Sequence, residues 1–221
     1  MLKAITLIKR NASLTVEEFQ DYWLQRHVAV IRRLPGIRRY VQNHPLPENY
    51  RQGEPPYDGI AELWGDTSRT FRELAADSAY AAVLADEAVF IDRNALGLLL
   101  TSETTLRSGP IPAAGVKLIE LFRRRSGTTV SEFQRVWGEI HAGLVTRLPG
   151  VCCYIQSLPR PGGYASARPP AYDGQASLWF ASRDDLRQAM NSGVYTDIMK
   201  DWRNWIETRI SLVCREHVLI D

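Results

Sequence analysis

The sequence predicts an α+β fold in which two ferredoxin-like βαββαβ units close into one intramolecular α+β barrel, and three observations carry that expectation. A block of the chain repeats: Thr15 to Gln42 aligns without gaps to Thr129 to Gln156 at an offset of 114, with 13 of 28 positions identical. The match resumes at an offset of 115, where Tyr57-Asp58-Gly59, Trp64 and Tyr80 recur as Tyr172-Asp173-Gly174, Trp179 and Tyr195. Each copy also reads strand, helix, strand, strand, helix, strand, the order of the ferredoxin-like unit. Such a unit covers one face of its sheet with helices, and a second copy can supply the partner that the other face needs. Two copies are too few for a solenoid and suit a pseudo-dimer within one chain, with further homo-oligomers left open.

The elements follow in order. Lys3 to Arg10 and Lys117 to Arg124 are rich in Ile, Leu and Thr and read as opening strands. Ser13 and Thr15, or Thr128 and Thr129, are helix N-cap candidates, and the apolar positions that follow in the first copy, Val16, Phe19, Trp23, Val30 and Leu34, fall at helical intervals. Leu34-Pro35-Gly36 and Leu148-Pro149-Gly150 stop the helix, and Ile37 to Asn43 or Val151 to Ser157 forms a second strand. Long Pro- and Gly-rich connections, His44 to Pro56 and Leu158 to Ala171, are expected beside a cleft. A third strand starts at Tyr57 or Tyr172, and a second helix spans Asp66 to Asp86 or Ser182 to Asp201, the latter broken near Ser192-Gly193. Leu96 to Leu106 and Ile210 to Ile220 close each unit. Residues 108–115 form the linker between copies 1–107 and 116–221, because their glycines and prolines sustain neither helix nor central strand.

Composition excludes several classes of function. With 45% hydrophobic and 24% charged residues and a net charge of +2, the 221-residue chain is an ordinary globular protein with no implied electrostatic partner. Arg123-Arg124-Arg125 reads as a solvated strand end rather than a nucleic-acid patch. The charged N-terminus does not suit a signal peptide, and no apolar run approaches a membrane span, so a cytoplasmic protein without membrane contact is expected. Cys152, Cys153 and Cys214 read as core thiols. No Gly-rich phosphate loop, Gly-x-Ser-x-Gly, His-Glu-x-x-His or Cys-x-x-Cys occurs, which argues against nucleotide and zinc chemistry.

Two histidines remain as chemistry candidates. His27 lies four residues after Trp23 on the apolar seam of its helix, and His141 lies four after Trp137. Histidine moves protons near neutral pH, but a hydrogen-bonded core residue is the competing reading. Strand alternation puts Tyr57, Gly59, Ala61 and Leu63 on one face. If that face meets the helices, the small residues either leave a ligand hollow opposite Trp23 and His27 or allow tight packing. Tyr40 with Gln42, and Tyr154 with Gln156, offer a hydroxyl and an amide to a ligand, or are core residues. Asp58 and Asp173 either orient the histidines or serve turn chemistry at the strand entrance.

The Phe-x-x-x-Trp-x-x-x-His helix (Phe19, Trp23, His27; Phe133, Trp137, His141), the Leu-Pro-Gly and Tyr-x-Gln that follow, and the Tyr-Asp-Gly strand ending at Trp64 or Trp179 resemble the EthD family of dimeric α+β barrel proteins. Members with assigned roles include proteins of ether degradation, a methylmuconolactone isomerase, and fungal polyketide decarboxylases or dehydratases. The resemblance implies a metal-free, cofactor-independent pocket for a small aromatic or lactone-like molecule, with the helix histidine as acid or base. It adds Tyr57 and Tyr172 with the Phe, Trp, Tyr and Gln residues as candidate substrate contacts. The fusion of two copies departs from single-unit members, so an internal barrel would replace their homodimer. The leading expectation is a lyase or isomerase of catabolic or secondary metabolism; the rivals are a non-catalytic binding or accessory protein and a haem-binding or oxygenase-type barrel.

Overall fold

A computed structural model describes residues 1–167 and 169–221. They form two compact units, Met1–Thr101 with Glu216–Asp221, and Ser102–Arg215. Each unit combines antiparallel strands with helices, the α+β class the sequence predicts.

In the first unit, β1 (Leu2–Ile8) lies between β3 (Gly59–Gly65) and β4 (Gly97–Arg107), with β2 (Ile37–Pro45) on the far side of β3, all antiparallel. The register places Ala61 between Thr6 and Gln42, so a small side chain stands in the middle of the sheet. The first helix begins as the sequence predicts: Thr15 caps it and, with Glu18, makes a capping box. It does not continue as one regular helix. Between α1 (Val16–Tyr22) and α2 (Val28–Ile31), Trp23–His27 form a π-helical turn, a rare geometry that breaks the regular i→i−4 ladder. The stop at Leu34-Pro35-Gly36 is as expected, with Gly36 at φ +76°, a left-handed value that favours glycine.

The second helix differs from expectation. It is two helices, α3 (Ser68–Leu74) and α4 (Ser78–Phe90), because the Asp77 side chain accepts from the Ala79 amide and starts a new helix. The break foreseen only in the second copy therefore exists in both. Phe19, Trp23, Tyr40, Val83 and Phe90 form the buried core between helices and sheet, each aromatic contributing roughly 1.5–3 kcal/mol.

The second unit repeats this plan with β5 (Val116–Arg124), α5 (Val130–Arg135), a π-helical turn at Val136–His141, α6 (Ala142–Val145), β6 (Val151–Pro159), β7 (Gly174–Phe180), α7 (Arg183–Met190), α8 (Gly193–Trp205) and β8 (Ile206–Ile220). Its last strand starts at Ile206, four residues before the expected Ile210. Cys153 and Cys214 are buried thiols, but Cys152, at the register irregularity between Val151 and Cys153, is half-buried. No helix among the described residues is long and apolar enough to cross a membrane.

Candidate active site

The first unit holds a cavity of about 280 Å³ between its sheet and its helices, close to the lower end of the range for ligand pockets. Alternate strand residues make the floor: Ala4, Thr6 and Ile8 of β1, Ala61 and Leu63 of β3, and Tyr40 of β2. The helices add Trp23, His27, Tyr80, Val83 and Glu87. The expected hollow therefore exists, but not at Gly59. A Cβ there would lie 2.5 Å from Trp23 Cζ3, so the indole fills the place of the missing side chain. Tight packing and hollow are both realised, two residues apart on one strand.

His27 is 4% exposed, and its Nδ1 lies 2.6 Å from Asp86 Oδ2, while the Tyr22 hydroxyl donates to the other Asp86 oxygen at 2.8 Å. An ionised carboxylate only accepts, so Nδ1 carries the proton and Nε2 keeps its lone pair. Burial pushes the His27 pKa below the ordinary histidine value, with Asp86 partly opposing. The result is a neutral imidazole held in one tautomer, with Nε2 hydrogen-bonded to no described residue: the arrangement of a general base.

Tyr40 presents complementary chemistry. Its hydroxyl oxygen accepts from Trp23 Nε1 at 3.0 Å and Gln42 Nε2 at 2.9 Å, which leaves its own proton to donate. Burial pushes its pKa upward, so it remains an O–H donor. Gln42 is an internal strut: its amide also donates to the Trp23 carbonyl at 2.8 Å in the π-helical turn, and its oxygen bonds His44 Nε2 at 2.9 Å. It is fully buried and does not line the cavity.

Asp58 does not orient His27. Its carboxylate bonds Arg10 Nη1 and the Tyr50 hydroxyl at 2.7 and 2.9 Å and pairs with Lys9 at 2.9 Å, tying the basic end of β1 to the entrance of β3. Asp173 does the same with Arg124 and Tyr164. The orienting carboxylates are Asp86 and Asp201, which sequence reasoning missed although they stand at the offset of 115 that aligns this half of the repeat. Phe19 packs on Trp23 and Phe90 and Tyr57 precedes β3; neither lines the cavity. The His44 to Pro56 connection also lies away from it, with Pro45, Pro47 and Tyr50 bordering a separate surface groove.

The second unit copies the frame and puts bulkier side chains at the matching positions. Gln156 donates to the Trp137 carbonyl and to the Tyr154 hydroxyl, Phe133 packs on Trp137, and the Trp137 indole occupies the Cβ position of Gly174. Tyr172 is buried beneath the Arg123 guanidinium. His141 Nδ1 lies 2.8 Å from Asp201, but Trp202 Nε1 donates to its Nε2 at 2.5 Å. Indole N–H only donates, so this bond independently requires the same tautomer. Where the first unit has Ala4, Ile8 and Glu87, the second has Leu118, Phe122 and Trp202. Thr6 becomes Glu120, whose pKa burial pushes up to about 7, beside Ser211 and Arg209.

The EthD domain family model matches residues 11–94 and 125–209, one match in each unit. No curated protein matches the sequence. Among solved structures, an anthrone oxidase-like protein superposes with a TM-score of 0.72 at 8% identity, covering 100% of this chain and 94% of that one. An ethyl tert-butyl ether D family protein from Bacillus halodurans is 18% identical over 45% of this chain and 95% of its own, with a TM-score of 0.38. A dimeric protein of ferredoxin-like fold from Bacteroides fragilis is likewise 18% identical, over 47% of this chain and 97% of its own, at 0.37.

Proposed function

The chain belongs to the EthD family, and from that premise we propose that it is a small-molecule enzyme of the proton-transfer type, a lyase or isomerase, whose working copy is the first unit. One contrast carries the reading: Nε2 of His27 is uncapped beside a cavity, whereas Nε2 of His141 is capped by Trp202. His27 takes a proton from a carbon or hydroxyl acid, and the Tyr40 hydroxyl donates to the oxygen on which negative charge gathers. The apolar walls select a hydrophobic, aromatic or lactone-like molecule and strengthen both interactions by excluding water. No step requires a cofactor. A second reading, in which the anion so formed reacts with dioxygen, draws on the full-length likeness to the anthrone oxidase-like protein; an oxygen electrode separates the two.

The test is deuterium wash-in from D2O into aromatic ketones and lactones, followed by NMR. Wild type exchanges the acidic C–H, and His27→Gln, which keeps the volume but not the base, loses the exchange. Equal exchange in both proteins overturns the reading.

A further inference from the structure

We propose that Glu87 is a second proton carrier in the first-unit cavity, giving a proton to the substrate while His27 removes one, so that the cavity suits a carbonyl compound with a hydroxyl on the carbon beside the one deprotonated. The proposal rests on the base role given to His27 above.

Register supplies the geometry. Asp86 and Asp201 hold the same Nδ1 atom in the two units, so the next residues, Glu87 and Trp202, occupy matching places on their helices. Trp202 reaches His141 Nε2 directly at 2.5 Å. A side chain at position 87 therefore springs from a place that commands the open nitrogen of His27 and whatever lies against it. Glu87 lines the cavity, which is otherwise mostly apolar, and its carboxyl makes no hydrogen bond among the described residues, its backbone carbonyl accepting from the Ile91 amide. The other titratable groups around it are Asp86, Arg93, Tyr80, Tyr40 and His27. Burial raises its pKa, Arg93 opposing, which keeps a proton on the carboxyl to higher pH than on an exposed glutamate. An imidazole with an open nitrogen and a carboxyl in the wall of one cavity can serve as the base and acid of a two-site proton transfer.

The step balances as an elimination. Tyr40 donates a hydrogen bond to the carbonyl oxygen, and His27 Nε2 takes the proton from the neighbouring carbon. The C–H pair becomes the new C=C bond, the C–O bond breaks, and the departing oxygen takes the Glu87 proton and leaves as water. Imidazolium and carboxylate remain, and transfer of the proton from His27 to Glu87 restores the starting state without an outside reagent.

Butyrophenone, which can only exchange, and β-hydroxybutyrophenone, which can also lose water, separate the two roles. Glu87→Gln keeps the size and polarity of the side chain and removes the transferable proton. The expected result is a fall of about 100-fold or more in the ratio of enone formation from the hydroxy ketone to exchange of butyrophenone, partly recovered in Glu87→Asp. Wild-type elimination by the Gln variant overturns the proposal, as does equal loss of both reactions, which would mark a structural role. If wild type exchanges butyrophenone but never eliminates water, this proposal alone fails. If wild type and His27→Gln behave alike in exchange, the base role fails and takes this proposal with it.

Discussion

Around His27 and His141 the two units agree on one side of the ring and part on the other. Both Nδ1 atoms meet an aspartate of the second helical segment, at 2.6 and 2.8 Å, and both rings leave a π-helical turn whose first Trp carbonyl is held by a glutamine amide. On the Nε2 side the first unit has a cavity with Glu87 in its wall, and the second has Trp202 bonded to the ring and packed on Phe122. The lesson is physical: one frame supports either a buried base with its Nε2 left unbonded beside a cavity or a histidine bonded on both sides, and the bulk of a few side chains decides which. A duplicated chain can hold one of each.

The largest expected effect concerns activity. His27→Ala should lower turnover by about 10²–10⁴-fold, the usual worth of a general base, while His141→Ala leaves turnover near wild type. Comparable losses in the two variants, measured by deuterium exchange, would break the contrast between the units. Stability should show the reverse. Trp202→Ala removes a buried side chain that caps His141 and is expected to cost about 3–5 kcal/mol in urea unfolding; a cost below about 1 kcal/mol would mean that the second unit is not packed through this residue.

A smaller effect sharpens the comparison further. Gly59→Ala and Gly174→Ala each place a Cβ 2.5 Å from an indole carbon, so each should cost about 1–3 kcal/mol. Only Gly59→Ala should also lose turnover, because only Trp23 lines the cavity; equal activity losses would argue that both copies work. The smallest effect is on pH dependence. Burial disfavours the imidazolium form and lowers the His27 pKa below 6.5, so the base stays unprotonated to lower pH than a free histidine. The acid limb of kcat/KM should therefore fall below pH 6.5, and a limb above it would contradict the assigned environment of the ring.

Much of the frame was legible in the sequence because its causes are local. Thr15 and Thr129 announce their helices by capping-box chemistry within four residues, and Leu-Pro-Gly ends them by backbone restriction. The Trp–His spacing and the Tyr40 and Ala61 faces followed from the periods of helix and strand. The π-helical turns were not legible, since the Gln42 side chain that holds the Trp23 carbonyl comes from a strand 19 residues away.

What the sequence by itself determined was the duplication, the element order and the two inward histidines, all set by short-range periodicity and by comparing one copy with the other. What tertiary structure decided was which groups meet: Asp86 rather than Asp58 beside His27, across 59 residues, and Trp202 against His141 where Glu87 faces a cavity. Periodicity fixes the side from which a residue leaves its element, but neither its partner nor whether the space ahead is empty. Those depend on the summed volumes of side chains brought together only when sheet and helices pack.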